Sequence, residues 1–191
     1  GWHESNGGNA SYRLTPEDVA SSRSFFYDNP SSWVPLGLQA ANLGGEFFLV
    51  TAAGAHMRNV ALDPDTGAGI AEINAAGDAW RIVWGFKNGG VPTSEFPSHV
   101  AIQSVRKEVT GGTGRVLYHA HPAHVVALTN VLPLDARTFT RALWKMLMEC
   151  MIAFPKGIGV VPWRVPGGPE IADATADAMR IYDACVWAHH G

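Results

Sequence analysis

Apolar and polar positions alternate over short stretches in the first half of the chain, then recur at a longer spacing in the second. Residues 10–14, 46–51, 57–62, 69–73 and 80–86 are β-like runs separated by turns that contain Gly and Asp. This pattern predicts strands joined as antiparallel meanders. Residues 115–118 predict another strand, since they are apolar and β-branched and follow the turn-rich Thr110-Gly111-Gly112-Thr113-Gly114. Helix signals come between and after. Pro92-Thr93-Ser94-Glu95 reads as a helix N-terminus with a hydroxyl cap and an acid in the first turn, and Phe96, Val100, Ile102 and Val105 follow at roughly helical spacing. Asp135 caps a second predicted helix running to Met148 or beyond, 169–184 reads as a third, and 185–190 as a closing strand. Residues 29–45, rich in Pro, Ser, Asn and Gly, predict a loop. Strands and helices interleave without a strict βαβ rhythm, which argues for an α/β sandwich around a mainly antiparallel sheet.

Composition narrows the class. With 191 residues, 47% hydrophobic and only 16% charged, the chain can bury a sizeable core and still present apolar surface to other subunits. A net charge of −3 offers nothing to draw it to nucleic acid or acidic lipid. Cys150 and Cys185 both sit among apolar residues, which fits reduced thiols and a cytoplasmic location better than a disulfide framework. No apolar run is long enough to span a bilayer. We find no repeat and no low-complexity tract.

The chemistry gathers around His119-Ala120-His121. In a strand, residues two apart face the same way. Two imidazoles on one face repel when charged, and make sense when both are neutral and share a cation, or when they are hydrogen-bonded at a strand end. A catalytic zinc takes three protein ligands and keeps one position open. Candidates for the third are His124, His189, His190, His99, His56 and His3. His124 follows Pro122 and reads more naturally as a capping or packing residue. His190 lies at a strand edge beside Gly191, and His189 faces the opposite way, so only one of the two can join the pair. A cupin barrel would also show His-x-His, but with a Glu shortly afterwards, where this chain has Ala123-His124-Val125-Val126.

Glu95, near a helix N-terminus, is favoured in its ionised form there, either as a simple stabilising acid or as an acid/base beside a cation. Asn6-Gly7-Gly8-Asn9 can aim successive N–H groups at an anion, and Thr93 and Ser94 form a second potential anion site. Each also has an ordinary reading, as a turn and as a cap. Together with a metal site they suggest a small phosphorylated substrate.

These motifs, with His190-Gly191, resemble in order and spacing those of the class II aldolase/adducin family, and the resemblance runs through nearly the whole chain. Arg58-Asn59-Val60-Ala61-Leu62-Asp63-Pro64, Phe139-Thr140-Arg141-Ala142-Leu143-Trp144 and Val161-Pro162-Trp163-Arg164-Val165-Pro166-Gly167 are similar to the branch acting on L-rhamnulose 1-phosphate. The resemblance implies a single domain over 1–191 with a three-layer α/β/α fold, and further helical segments before and after it. It implies zinc on His119, His121 and His190, with Glu95 as acid/base. It implies phosphate held by Asn6, Gly8 and Asn9 with Thr93 and Ser94, and by the turn carrying Thr51 and Gly54.

The same resemblance implies retro-aldol cleavage of a sugar phosphate, with Asn6 holding the enediolate oxygen, in a homotetramer with interface active sites. Other reactions of the family, namely fuculose-phosphate cleavage, pentulose-phosphate epimerisation and thioribulose-phosphate dehydration, are the alternatives, together with a non-catalytic adducin-like interaction module. The family's phosphate turn usually carries a serine hydroxyl; here it reads Thr51-Ala52-Ala53-Gly54, and Ala53 has none. Glu149, inside the apolar Leu147–Ile152 run, is either a proton donor across a subunit interface or half of an ion pair with an arginine such as Arg141. No Schiff-base lysine is needed, and Lys87, Lys107 and Lys145 have no persuasive buried setting.

Overall fold

A computed structural model describes residues 2, 3 and 5–191; Gly1 and Glu4 lie outside the described residues. Six strands, β1 (Asn9–Arg13), β2 (Val34–Pro35), β3 (Phe47–Thr51), β4 (Ala68–Ile73), β5 (Ala79–Gly85) and β6 (Val116–His119), form one sheet in the order β2-β5-β4-β3-β1-β6. Every pairing in it is antiparallel. A small second sheet pairs β7 (Gly159–Val161) with β8 (Cys185–Trp187) in parallel. The helices are α1 (Pro16–Ser22), α2 (Pro64–Gly67), α3 (Phe96–Val109), α4 (Ala123–Leu128), α5 (Ala136–Met146), α6 (Met148–Ala153) and α7 (Pro169–Ile181).

Alternation along the strands sorts the core into two faces. Phe48, Val50, Ala71 and Ile73 pack against Phe96 and Val100 of α3. Phe47, Ile70 and Val83 face the other way, with Leu14 and with Val19 of α1. Burying side chains of this kind contributes about 1.5–3 kcal/mol each. The sheet is thus covered on both sides, and α7 packs outside α3. Strand β1 departs from the apolar rule: its inward residues Asn9, Ser11 and Arg13 are polar and buried. Arg13 donates to Glu46 at 2.8 Å and to the Gly112 carbonyl at 2.9 Å, and Lys107 also pairs with Glu46.

The structure corrects several sequence expectations. Residues 57–62 are not a strand; Met57–Asn59 is a 3₁₀ turn, the Asn59 carbonyl accepts from the Leu62 and Asp63 amides, and Pro64 starts α2. The helix capped by Asp135 breaks at Leu147, which is extended, so α6 is separate. Helix α7 stops at Ile181. The last strand stops at Trp187, and the chain turns back through His189, with φ of 61°, so that the Gly191 amide donates to the Trp187 carbonyl at 3.2 Å. Glu95 lies one residue before α3 rather than inside its first turn, and its side chain caps nothing.

Candidate metal centre and acid/base

Three separate elements bring the site together. His119 is the last residue of β6, opposite Asn9 in the β1–β6 register. His121 follows two residues on, its amide donating to the Trp2 carbonyl at 3.0 Å. His190 arrives from the turn after β8. Gly191 must be a glycine here: a Cβ would collide with the Ala120 carbonyl and come within 3.1 Å of both the His119 and His121 rings. Trp187 lies against the rings of His119 and His190, with centroids 5.0 and 5.4 Å away.

The three Nε2 atoms converge. His119 Nε2 is 2.9 Å from His121 Nε2 and 3.1 Å from His190 Nε2. Among the described residues this is the one group of three His, Cys, Asp or Glu side chains whose ligand atoms all lie within 4.8 Å of one another. Burial pushes the His119 imidazole down to about 4 and lowers His121, with Glu95 opposing both shifts. At neutral pH these two rings are therefore uncharged and offer lone pairs to a common point. Three imidazole nitrogens make a donor set suited to a divalent cation.

The Glu95 carboxylate adjoins the triad. Its Oε1 is 3.7 Å from His190 Nε2, and its Oε2 is 3.9 Å from His119 Nε2. Oε2 also accepts from Asn9 Nδ2 at 2.9 Å. Burial raises its pKa, but His190, His119 and the Asn9 amide outweigh that and bring it down to about 2. A cavity of about 410 Å³ reaches Glu95 and His119 past Ser98, His99 and Trp187.

The other sequence candidates fall into place unevenly. Asn6 sits in an exposed turn. Gly8 has φ of 80°, and a Cβ there would strike the His3 ring and the His119 carbonyl. Asn9, expected to serve phosphate, has both ends of its amide occupied inside the protein, by Glu95 and by His99. Buried Thr93 receives the Glu95 amide on its hydroxyl at 3.4 Å, and exposed Ser94 lies between them in the chain. The Thr51 hydroxyl accepts from the Ala10 amide at 3.1 Å, which ties β3 to β1. Gly54, with φ of 71°, and Ala53 form an exposed turn, and the Ala53 amide donates to the Val91 carbonyl at 2.9 Å.

Glu149 is not buried in this chain; it is exposed in the first turn of α6, beside exposed Met148 and Ile152. His3 bonds to the Gly7 carbonyl and to the Tyr118 hydroxyl. His189 turns to Thr129, and His124 is exposed on α4. His99 is no part of the triad; its two ring nitrogens meet Ser11 and Asn9. Sequence reasoning missed this use of His99 and Ser11. The signal was there, since Asn9 and Ser11 are two apart in a strand, and Glu95 and His99 are four apart along a helix. Three lysines are engaged elsewhere: Lys87 with Asp65, Lys107 with Glu46, and Lys156 with Asp183 at 3.6 Å, while Lys145 lies exposed on α5.

Comparison with known proteins points the same way. The family described as Class II Aldolase and Adducin N-terminal domain matches residues 1–191. The chain is 44% identical to the rhamnulose-1-phosphate aldolases of Mannheimia succiniciproducens and Pectobacterium carotovorum over its full length, covering 70% and 69% of those proteins. Its fold is similar to that of a sugar-phosphate aldolase from Thermotoga maritima, with a TM-score of 0.78 and 28% identity, all of this chain and 75% of the other being covered. It also shares its fold with YgbL of Escherichia coli, at a TM-score of 0.61 and 20% identity over all of this chain and 68% of the other.

Proposed function

Because the chain belongs to the class II aldolase and adducin family, we propose that it cleaves L-rhamnulose 1-phosphate by a retro-aldol reaction, giving dihydroxyacetone phosphate and L-lactaldehyde. The observation that carries this reading is the convergence of three imidazole nitrogens beside one buried carboxylate. The substrate follows the relatives that are 44% identical.

Held by His119, His121 and His190, a zinc ion would supply positive charge at the ketone and hydroxyl oxygens, where negative charge develops. The chain's own groups then manage protons and position. In the cleavage, the hydroxyl oxygen on the carbon that becomes the aldehyde gives up its proton. The bond electrons pass to the carbon beside the ketone as an enediolate, which must regain a proton. Glu95, ionised at rest, takes up a proton from solvent and delivers it: its Oε2 is pinned by Asn9 while its Oε1 faces the triad. Asn6, in its exposed turn, holds the enediolate oxygen through its side-chain amide and reaches the phosphate with Gly8, while the Asn9 amide stays with Glu95 and His99. Thr93 and Ser94, with the Thr51–Gly54 turn, complete the phosphate site. Glu149 of a second copy exchanges the hydroxyl proton. Exposed Met146, Leu147, Met148, Met151 and Ile152 around it supply apolar surface for such a contact, and we assign a homotetramer with interface active sites. Both cysteines are free, in keeping with a cytoplasmic setting. Among the described residues no helix is long and apolar enough to cross a membrane.

The test is a coupled assay for dihydroxyacetone phosphate on the metal-loaded protein, across L-rhamnulose, L-fuculose and L-ribulose phosphates, with metal analysis alongside. Turnover of rhamnulose 1-phosphate at the highest kcat/KM, with one zinc per chain, is the expected result. Bound metal without turnover of any of the three would overturn the enzymatic assignment.

A further inference from the structure

We propose that His99, backed by Ser11, is a positioning residue: it fixes which end of the Asn9 amide faces Glu95, and so holds that carboxylate in place for proton transfer. The inference rests on the acid/base role of Glu95 given above, and extends it to residues outside the metal centre.

Proton positions decide the direction of each bond. An ionised carboxylate only accepts hydrogen bonds, so Asn9 must present its NH₂ group, and Nδ2 lies 2.9 Å from Glu95 Oε2. The Asn9 carbonyl oxygen therefore faces away, 2.6 Å from His99 Nε2. An oxygen acceptor there requires Nε2 to carry the proton. His99 is fully buried, and burial pushes its pKa down to about 4, so the ring is neutral and has a single N–H. Its Nδ1 must then accept, and the Ser11 hydroxyl stands 2.7 Å away to donate. One direction runs through the whole chain: Ser11 to His99, His99 to Asn9, Asn9 to Glu95. All four residues are buried.

The alternative tautomer fails. With the proton on Nδ1, the Nε2 lone pair would face the Asn9 oxygen. Asn9 could relieve that only by flipping its amide, which would set its oxygen against the Glu95 carboxylate. Packing leaves little freedom for another solution. Asn9 and Ser11 project from the same face of β1, and His99 lies one turn beyond Glu95 on α3, so the docking of one helix on one strand sets the entire relay. Pinning Oε2 in this way leaves Oε1 toward His190 and the reaction centre.

Two experiments test the relay. Long-range ¹H–¹⁵N correlation on the metal-loaded protein, with His99 assigned by the loss of its signals in His99→Gln, should show a neutral ring protonated at Nε2 at pH 7. A ring protonated at Nδ1, or at both nitrogens, overturns the proposal. This readout needs no substrate, so it stands apart from any failure of the aldolase assignment. Kinetics then separate positioning from mere structure. His99→Leu removes the donor to Asn9 and should lower kcat roughly ten- to hundred-fold, the size of a lost hydrogen bond to a charged group, with KM and bound metal unchanged. His99→Gln keeps an N–H near the place of Nε2 and should restore most of kcat. An unchanged kcat in His99→Leu, no rescue by His99→Gln, or a loss of metal instead of kcat each refutes the assignment. Should His99→Leu fail to fold, Ser11→Ala provides the second variant. It removes the donor to Nδ1, and a mixed tautomer with reduced kcat is expected; an unshifted tautomer with full kcat refutes the relay.

Discussion

Replacing Glu95 by glutamine is the sharpest perturbation of the site. Glutamine fills the same volume and keeps an oxygen to accept from Asn9 Nδ2, now 2.9 Å from Oε2, so the buried environment loses no hydrogen bond. What disappears is a negative charge 3.7–3.9 Å from His190 and His119, and the ability to carry a proton. General acid–base catalysis contributes about 10²–10⁴-fold, or roughly 2.7–5.5 kcal/mol at 1.36 kcal/mol per decade. The carboxyl is held down to about 2, so its protonated, donating form is scarce at neutral pH. Brønsted behaviour then places its contribution toward the lower end, about 10²–10³-fold.

Metal binding should survive the change. Glu95 raises the His119 and His121 pKa values, so removing its charge makes both imidazoles easier to keep neutral. The expected outcome in the coupled assay is a kcat reduced at least a hundredfold, with one metal per chain and an unchanged thermal midpoint. A glutamine variant turning over within tenfold of the parent would refute the acid/base role, because no other group would then be needed at that position.

Four further outcomes are expected. His121→Ala should lose metal on gel filtration, read by elemental analysis; stoichiometric metal in the variant would remove His121 from the site. Gly191→Ala should weaken metal binding in a chelator competition, since its Cβ meets the Ala120 backbone and both neighbouring rings; unaltered affinity would show that the 188–191 turn can shift freely. Glu46→Gln should cost roughly 2 kcal/mol in urea unfolding at neutral pH, because Arg13 is 1% exposed while Glu46 is only partly shielded. Burial raises the Glu46 pKa, but hydrogen bonds from Lys107 and Arg13 bring it below 4.5, so the carboxylate's contribution is complete above 4.5 and fades as pH falls through the lower folded value; a gap that widens in acid would contradict this. Ala53→Ser restores a hydroxyl to an exposed turn and should lower KM for the ketose phosphate about tenfold if phosphate sits there, one charge-assisted hydrogen bond being worth about 1.5–3 kcal/mol; an unchanged KM would place the phosphate elsewhere.

What could be read from the chain divides by range. Five strands of the main sheet were legible as β-like runs, and His119 and His121 because a strand puts residues two apart on one face; β2 went unread inside residues 29–45, which read as a loop. Residues 57–62 misled because Met57, Val60 and Leu62 look like strand residues, while the decisive information lay in Asn59, Asp63 and Pro64, whose turn chemistry wins over apolar content. Helix α1 went unread although Thr15 and Asp18 form a capping box with Pro16 between them. The break at Leu147, which is extended, has no local breaker residue to announce it.

The long-range part of the site was harder. His190 reaches His119 across 71 residues, by way of the α3–α7 packing and a left-handed His189 that reverses the chain after β8. No period in the sequence encodes that reversal: residues 185–190 read as a strand, and the resemblance to a family implied only that His190 joins the pair. Asn9 shows the opposite failure. Its neighbours Gly7 and Gly8 suggested an anion-binding loop, but the alternation of β1 carries Asn9 inward with Ser11, onto the face that meets α3. The strand period outranks the local loop motif, because burying an amide requires that both its ends be satisfied, and Glu95 and His99 are the groups that satisfy them.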